Sequence, residues 1–398
     1  MKLSQYLQGD KSIWGIVVLL SIFSFLPVYS ASSNLVYVVG SGSVFGHLLK
    51  HVAIVCVGWV IMYTVHLMPF RYFSGLAKIG IPIVVILLTI TALQGTTIDG
   101  ANASRWLNIP ILGMSFQTST LATVVLLAYV ADYFATKREV KIRFVESLLP
   151  LWLPVFGIIG LIFPANFSTA AIMMFMVFVL AFVGGYPFKY LALIGGAALV
   201  MVVLFILTFK AFPDLMPNRV DTWMSRVERF RGEDNASDNY QIEKAKIAIA
   251  TGQIRGLGPG KSRQKNFLPQ SSSDFIFAII IEEYGLIGGM MLVLFYLWLL
   301  FRVVIIAYKS QTVFGSLLSV GIGLPIVFQA FINMGVAVEL LPVTGQTLPL
   351  ISSGGTSIWM TCLAIGILLS VSADYGKDQE LPSNRENENP LDVLSEAL

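Results

Sequence analysis

The residues best suited to chemistry lie in three segments of a 398-residue chain. In the first, GLGPGKSRQK at 256–265 runs into LPQSSSDFIFA at 268–278. The GxGxGKS string looks superficially like a nucleotide-binding loop. Its spacing is not GxxxxGK[ST], however, and no buried strand precedes it. What the glycines do permit is close approach of backbone N–H groups to a lipid-linked phosphate, with Lys261, Arg263 or Lys265 alongside. The second segment holds three carboxylates: Asp274, then Glu282 and Glu283 inside an apolar run. A carboxylate in hydrocarbon is costly unless it is paired or faces a cavity. Pairing or capping within a helical bundle is the plainer role for Glu282 and Glu283. Asp274 stands at the edge of the run, where water and a sugar hydroxyl could reach it. The third segment, NMGVAVELLPVTGQTLPLISSGGTS at 333–357, joins Asn333, Pro342, Pro349, Ser352, Gly354 and Gly355 in backbone that cannot stay helical. Irregular backbone at membrane depth survives only where protein buries it or it lines a cavity. These residues are therefore expected to line a site.

The elements that must position these groups are membrane helices. The chain is 56% hydrophobic and 12% charged, with mean hydropathy +0.77; soluble domains carry about 25% charged residues. So little polar surface cannot cover a particle in water. Apolar runs at 13–30, 47–67, 79–94, 117–135, 148–163, 167–184, 190–210, 275–301, 313–333 and 349–372 predict an all-α integral membrane fold of about ten spans. The first run is read as a span and not as a cleaved signal. Residues 163–166 leave room only for the turn of a helical hairpin.

Lys and Arg cluster in alternate short loops, which sets both termini in the cytoplasm. One large loop, about 211–273, then falls between the seventh and eighth spans on the extracytoplasmic side. The stretch 210–273 carries eleven Lys and Arg together with Trp223, Phe230, Tyr240 and Phe267, more than a linker needs. Residues 1–373 form one membrane domain, and the acidic, Pro-broken tail 374–398 is expected to be disordered and cytoplasmic. Net charge is only +3 and no basic tract exists, so nucleic acid is excluded as a partner. Cys56 and Cys362 lie in apolar runs, and His47, His51 and His66 form no HExxH pattern, so neither a disulfide framework nor a metal site is indicated.

The combination DFIFA at 274–278, EE.G at 282–285 and the whole 333–357 stretch resembles the SEDS family (shape, elongation, division and sporulation). Supporting pieces are GANASRW at 100–106, FQTS at 116–119, FST at 167–169, Tyr240-Gln241, GLG at 256–258 and Gln264-Lys265. The resemblance covers all but the tail, and GQTLPLIS looks more like division-type members than elongation-type ones. It implies a peptidoglycan glycosyltransferase of the bacterial cytoplasmic (inner) membrane. Such an enzyme polymerises lipid II, disaccharide-peptide units on undecaprenyl pyrophosphate, for septal wall synthesis. The family's essential aspartate falls on Asp274, which would take the acceptor hydroxyl proton as general base in a single inverting displacement. Candidates for substrate and pyrophosphate contact are Arg105, Arg219, Arg226, Lys261, Lys265, Gln117 and Ser352, with a divalent cation (Mg or Mn) as a further source of positive charge. Implied partners are a class B penicillin-binding protein transpeptidase and other division proteins. The family's usual Glu and Lys in the fourth helix are Thr120 and Thr123 here. Its Asp before the sixth helix is Asn166, its Glu after Leu-Pro is Gln270, and its His-Thr before the aspartate is Ser272-Ser273. A thinner charge network keeps two other functions open: a lipid II flippase and a non-catalytic division scaffold.

Overall fold

The computed structural model describes residues 7–33, 43–94, 106–109, 114–138, 142–211, 236–268 and 270–380. Among them, eight helices are long and apolar enough to cross a bilayer, and the shorter apolar segments Phe167–Val183 and Phe188–Leu204 bring the set to ten. In chain order these spans are α1 (Lys11–Ala31), α2 (Val44–His66), α3 (Tyr72–Gln94), α4 (Thr118–Thr136), α5 (Phe144–Ile162), α6 (Phe167–Val183) and α7 (Phe188–Ala211), followed, after the loop helix α8 (Ala236–Gly252), by α9 (Ile276–Lys309), α10 (Val313–Ala337) and α11 (Thr356–Glu380). Each observed span overlaps one expected from hydropathy. The architecture is a multi-pass membrane bundle.

Polar residues set where the helices begin. The Asp10 carboxylate accepts from the N–H groups of Ser12 (2.8 Å) and Ile13 (3.2 Å), Ser43 caps α2 through Gly46 N (3.0 Å), and Thr312 caps α10 through Gly315 N (3.1 Å). Each satisfies an N–H that hydrocarbon would leave bare. Within the bundle α11 packs on α2, α9 on α10, and α4 between α3 and α10. The membrane-length window of α11 is 83% buried against 22% for α3, so α11 is an axis of the bundle and α3 a lipid-facing wall.

The structure departs from the sequence reading in four places. Trp106–Ile109 and Met114–Gln117 pair as a two-stranded antiparallel ribbon, β1 and β2, with Trp106 opposite Gln117, a small addition to the helical membrane fold. The loop between the seventh and eighth spans contains the 17-residue helix α8, which packs against α9. The tenth span starts at Thr356 rather than near 349, because residues 342–355 form no regular structure. The same helix continues past Ala373 to Glu380, so the first residues of the predicted tail are helical.

Candidate functional site

The eighth span is not one helix. Gly285 interrupts α9 with φ 72° and ψ −174°, and the backbone around it turns outward to pair with the end of α8 and the loop that follows. Leu257 N and Gly258 N donate to the carbonyls of Glu282 and Glu283 (2.9 Å each). In return Leu286 N and Ile287 N donate to Gln253 O (2.8 Å) and Ile254 O (3.3 Å). Backbone groups freed by the break are thus satisfied inside the protein, as hydrocarbon requires.

Both buried carboxylates bind this loop. Glu282 accepts from Arg263 N (3.0 Å), from Gln264 N (3.2 Å to one oxygen) and from the Ser262 hydroxyl. Glu283 accepts from Ser262 N (3.3 Å) and from the Ser30 hydroxyl at the end of α1. Lys265 Nζ donates to Ser30 Oγ (3.2 Å) and Gly260 O (2.8 Å). Both carboxylates are buried; amide and hydroxyl donors converge on Glu282 and on Oε1 of Glu283, while Oε2 of Glu283 is buried without a hydrogen-bond partner. Their role is to fasten the glycine-rich loop to α9 and α1.

That fastened loop leads directly into the turn carrying Asp274, which is partly exposed just before α9. Three successive carbonyls of the turn are held. Ser272 O accepts from Ser353 N (2.9 Å) and Ser353 Oγ (3.0 Å), Ser273 O from Ser352 Oγ (2.6 Å), and Asp274 O from Asn333 Nδ2 (2.7 Å). The partners come from α10 and the irregular segment between α10 and α11. Ser352 Oγ also accepts from Leu348 N (2.7 Å), and the Tyr296 hydroxyl donates to Pro349 O (2.5 Å), which ties that segment to the far half of α9. These contacts fix the backbone beneath the partly exposed Asp274 side chain.

A further string of contacts runs to α6. Gln346 Nε2 donates to Thr169 Oγ1 (2.9 Å), and Asn166 caps α6 through Thr169 N (3.2 Å). Asn166 also lines a small cleft with Thr91, Thr118 and Ser119 and the aliphatic side chains of Leu88 and Leu161. Its polar groups carry no charge. Thr120 and Thr123 point their hydroxyls back at their own helix, to Gln117 O (2.8 Å) and Ser119 O (2.9 Å).

Of the residues singled out from sequence, Asp274, Asn333, Ser352 and the carboxylate pair are brought to one end of the bundle by these contacts. Pro349 is buried and Pro342 half-buried, in the segment that frames the turn; Gly355 takes φ +52° and Gly354 N turns onto Ser352 O (2.7 Å). Gln117 closes the β-ribbon, its N–H donating to Thr356 Oγ1 (3.2 Å). Lys265 is part of the fastening network, whereas Lys261 stands exposed on the loop surface. Arg105, Arg219 and Arg226 lie outside the described residues. Among the described residues no three His, Cys, Asp or Glu side chains come together as a metal site. Sequence reasoning missed Ser30 and Ser262, since single serines in apolar or glycine-rich runs carry no signal. It also missed the break at Gly285, although the EE.G spacing marked the spot.

The FtsW/RodA/SpoVE family model, described as cell cycle protein, matches residues 10–376. The chain is 32% identical over 386 residues to the Probable peptidoglycan glycosyltransferase FtsW of Enterococcus hirae, covering 93% of this chain and 94% of that one. It is 32% identical over 314 residues to the protein of the same name from Thioalkalivibrio sulfidiphilus, covering 78% and 75%. Stage V sporulation protein E of Bacillus subtilis is 30% identical over 362 residues, covering 90% and 95%. Among solved structures, a chain from work on the structural coordination of polymerization and crosslinking by a peptidoglycan synthase complex superposes with TM-score 0.70 at 25% identity, covering 92% and 98%. The rod shape determining protein RodA of Thermus thermophilus superposes with TM-score 0.67 at 24% identity, covering 93% and 99%.

Proposed function

From the premise that this chain belongs to the FtsW/RodA/SpoVE family of cell cycle proteins, we propose that it polymerises lipid II into glycan strands with Asp274 as general base. It is a peptidoglycan glycosyltransferase, as its relatives are named. The observation that carries the assignment of the base is the anchoring of Asp274. Its turn is gripped at three successive carbonyls while the residue itself remains partly exposed.

The acceptor sugar hydroxyl attacks the anomeric carbon of the donor. Asp274 takes its proton, and the donor's bond to pyrophosphate breaks with inversion. A positioned carboxylate contributes about 10²–10⁴-fold to such a step. The leaving pyrophosphate needs positive charge. Lys261 and Arg263 are exposed cations on the fastened loop, and Arg105, Arg219 and Arg226 are further candidates from the sequence. A divalent ion, Mg or Mn, carried by the phosphates would supply more. Lys and Arg concentrate in alternate loops, which supports cytoplasmic termini in the inner membrane and an extracytoplasmic Asp274. The similarity to a chain of a peptidoglycan synthase complex supports a partner transpeptidase of the penicillin-binding class, and the many FtsW-named relatives support a role at the septum.

Purified full-length chain, reconstituted with lipid II and its transpeptidase partner, tests this. Wild type yields glycan polymer, and Asp274→Asn loses about 10²–10⁴-fold in turnover with lipid II binding retained. Normal polymerisation by Asp274→Asn removes this residue as the base. Lipid translocation by wild type without polymer would make the chain a flippase, and neither activity would leave a scaffold.

A further inference from the structure

Asn333 is 1% exposed and sits on α10 directly under the turn of Asp274. Its Nδ2 donates to two backbone carbonyls at once, Asp274 O and Gln346 O, each at 2.7 Å. Its own Oδ1 is buried without a hydrogen-bond partner. The orientation is therefore not interchangeable. Rotating the amide would satisfy nothing, because Oδ1 would then face two carbonyl oxygens. A buried acceptor without a partner is a free-energy cost, and here the amide bears it while holding two carbonyls at once.

Gln329, one turn earlier on the same helix, provides the contrast. Its Nε2 donates to Thr347 O (2.9 Å) and Thr347 Oγ1 (3.3 Å). Gln329 thus anchors the same irregular segment as Asn333 does, but does not touch the Asp274 turn. Two carboxamides hold one loop, and only one of them also holds the carboxylate's backbone.

We propose that Asn333 is the positioning residue of Asp274, fixing the aspartate backbone against the 342–348 segment so that the carboxylate meets the acceptor hydroxyl. The proposal rests on the assignment of Asp274 as base. Asn333 does not touch substrate. Because the same amide grips Gln346, whose side chain reaches Thr169 on α6, the aspartate also shares one rigid frame with α6.

The test compares full-length wild type, Asn333→Ala, Gln329→Ala and Asp274→Asn in lipid II polymerisation, with hydrogen exchange followed on the same samples. Asn333→Ala is expected to lower kcat at least about tenfold while KM for lipid II stays within about twofold. Amide exchange should rise selectively over residues 272–278. Gln329→Ala, which loosens the same segment without releasing the Asp274 carbonyl, should lower kcat less than Asn333→Ala and leave exchange over 272–278 near wild type. If Asn333→Ala keeps its kcat, loses KM instead, or matches Gln329→Ala in turnover and exchange, Asn333 is a core residue and the proposal falls. A variant that is no longer monodisperse also counts against it, since the side chain would then serve the fold. The two readings fail separately. Active Asp274→Asn sinks the base assignment, whereas inactive Asp274→Asn beside fully active Asn333→Ala sinks only this one.

Discussion

Gly256 and Gly285 meet backbone to backbone: a Cβ on either would lie 2.5 Å from the amide nitrogen of the other and closer still to a neighbouring carbonyl. Both residues have positive φ, 78° and 72°. The approach allows loop and broken helix to exchange hydrogen bonds, and only glycine permits it. Gly285→Ala adds the left-handed strain of an L side chain, about 1–2 kcal/mol, to a collision that backbone cannot relieve cheaply. We expect both Gly285→Ala and Gly256→Ala to lower the thermal midpoint in detergent by several degrees or to prevent folding. Wild-type melting by either variant would show that the pairing is not required.

Lys265 should behave as a fastening residue. Its ammonium contacts Ser30 Oγ and Gly260 O, and Ser30 in turn donates to Glu283. Lys265→Met removes two charge-assisted hydrogen bonds beside a buried carboxylate, a loss of about 1–3 kcal/mol. Lowered stability with KM for lipid II little changed is the expected pattern, and Ser30→Ala should resemble it more weakly. A large rise in KM at unchanged stability would instead restore Lys265 as a pyrophosphate ligand.

The ten spans were legible because lipid imposes one rule, about 20 apolar residues per crossing, and residues such as Lys11, Lys309 and Lys137 mark the ends. Asp274 was singled out because it stands at the edge of an apolar run, where water can reach it. The network beneath it was not. Ser30 is separated from Glu283 by 253 positions, and Asn333 binds a carbonyl, a group every residue has. Contacts of side chains to backbone leave no compositional trace. The β-ribbon was missed for a related reason: four-residue strands are too short to show alternation against an apolar background.

At the opposite end of the bundle Arg302 pairs with Asp10, through Nε at 2.9 Å and through Nη2. Asp10 also starts α1, and its N–H donates to Ser372 Oγ on α11 (2.9 Å). The Asp10 side chain is 1% exposed and that of Arg302 23%, so the pair is poorly screened. Removing one partner of a buried pair costs about 3–5 kcal/mol because the other charge stays behind. Arg302→Met should therefore melt markedly earlier, with the folded fraction retaining wild-type KM for lipid II, since Asp274 lies at the far end of α9. Combining it with Asp10→Asn should recover part of the loss. A double variant worse than the sum of the single ones would refute the pairing as the cause.

Ser352 and Ser353 offer a graded test of how the Asp274 turn is held. The buried Ser352 hydroxyl donates to Ser273 O (2.6 Å) and accepts from Leu348 N (2.7 Å), so alanine there strands one backbone acceptor and one backbone donor. Ser353 grips Ser272 O twice, by its N–H (2.9 Å) and its hydroxyl (3.0 Å), so Ser353→Ala leaves the amide contact in place. An unsatisfied buried backbone group costs about 1–3 kcal/mol, whereas loss of one of two donors to the same oxygen costs less. Ser352→Ala is expected to lose more stability and more kcat than Ser353→Ala, with amide exchange rising over 270–276 only in the former. The reverse order, measured on purified full-length protein, would mean that the turn is held mainly at Ser272 rather than at the carbonyl next to the aspartate.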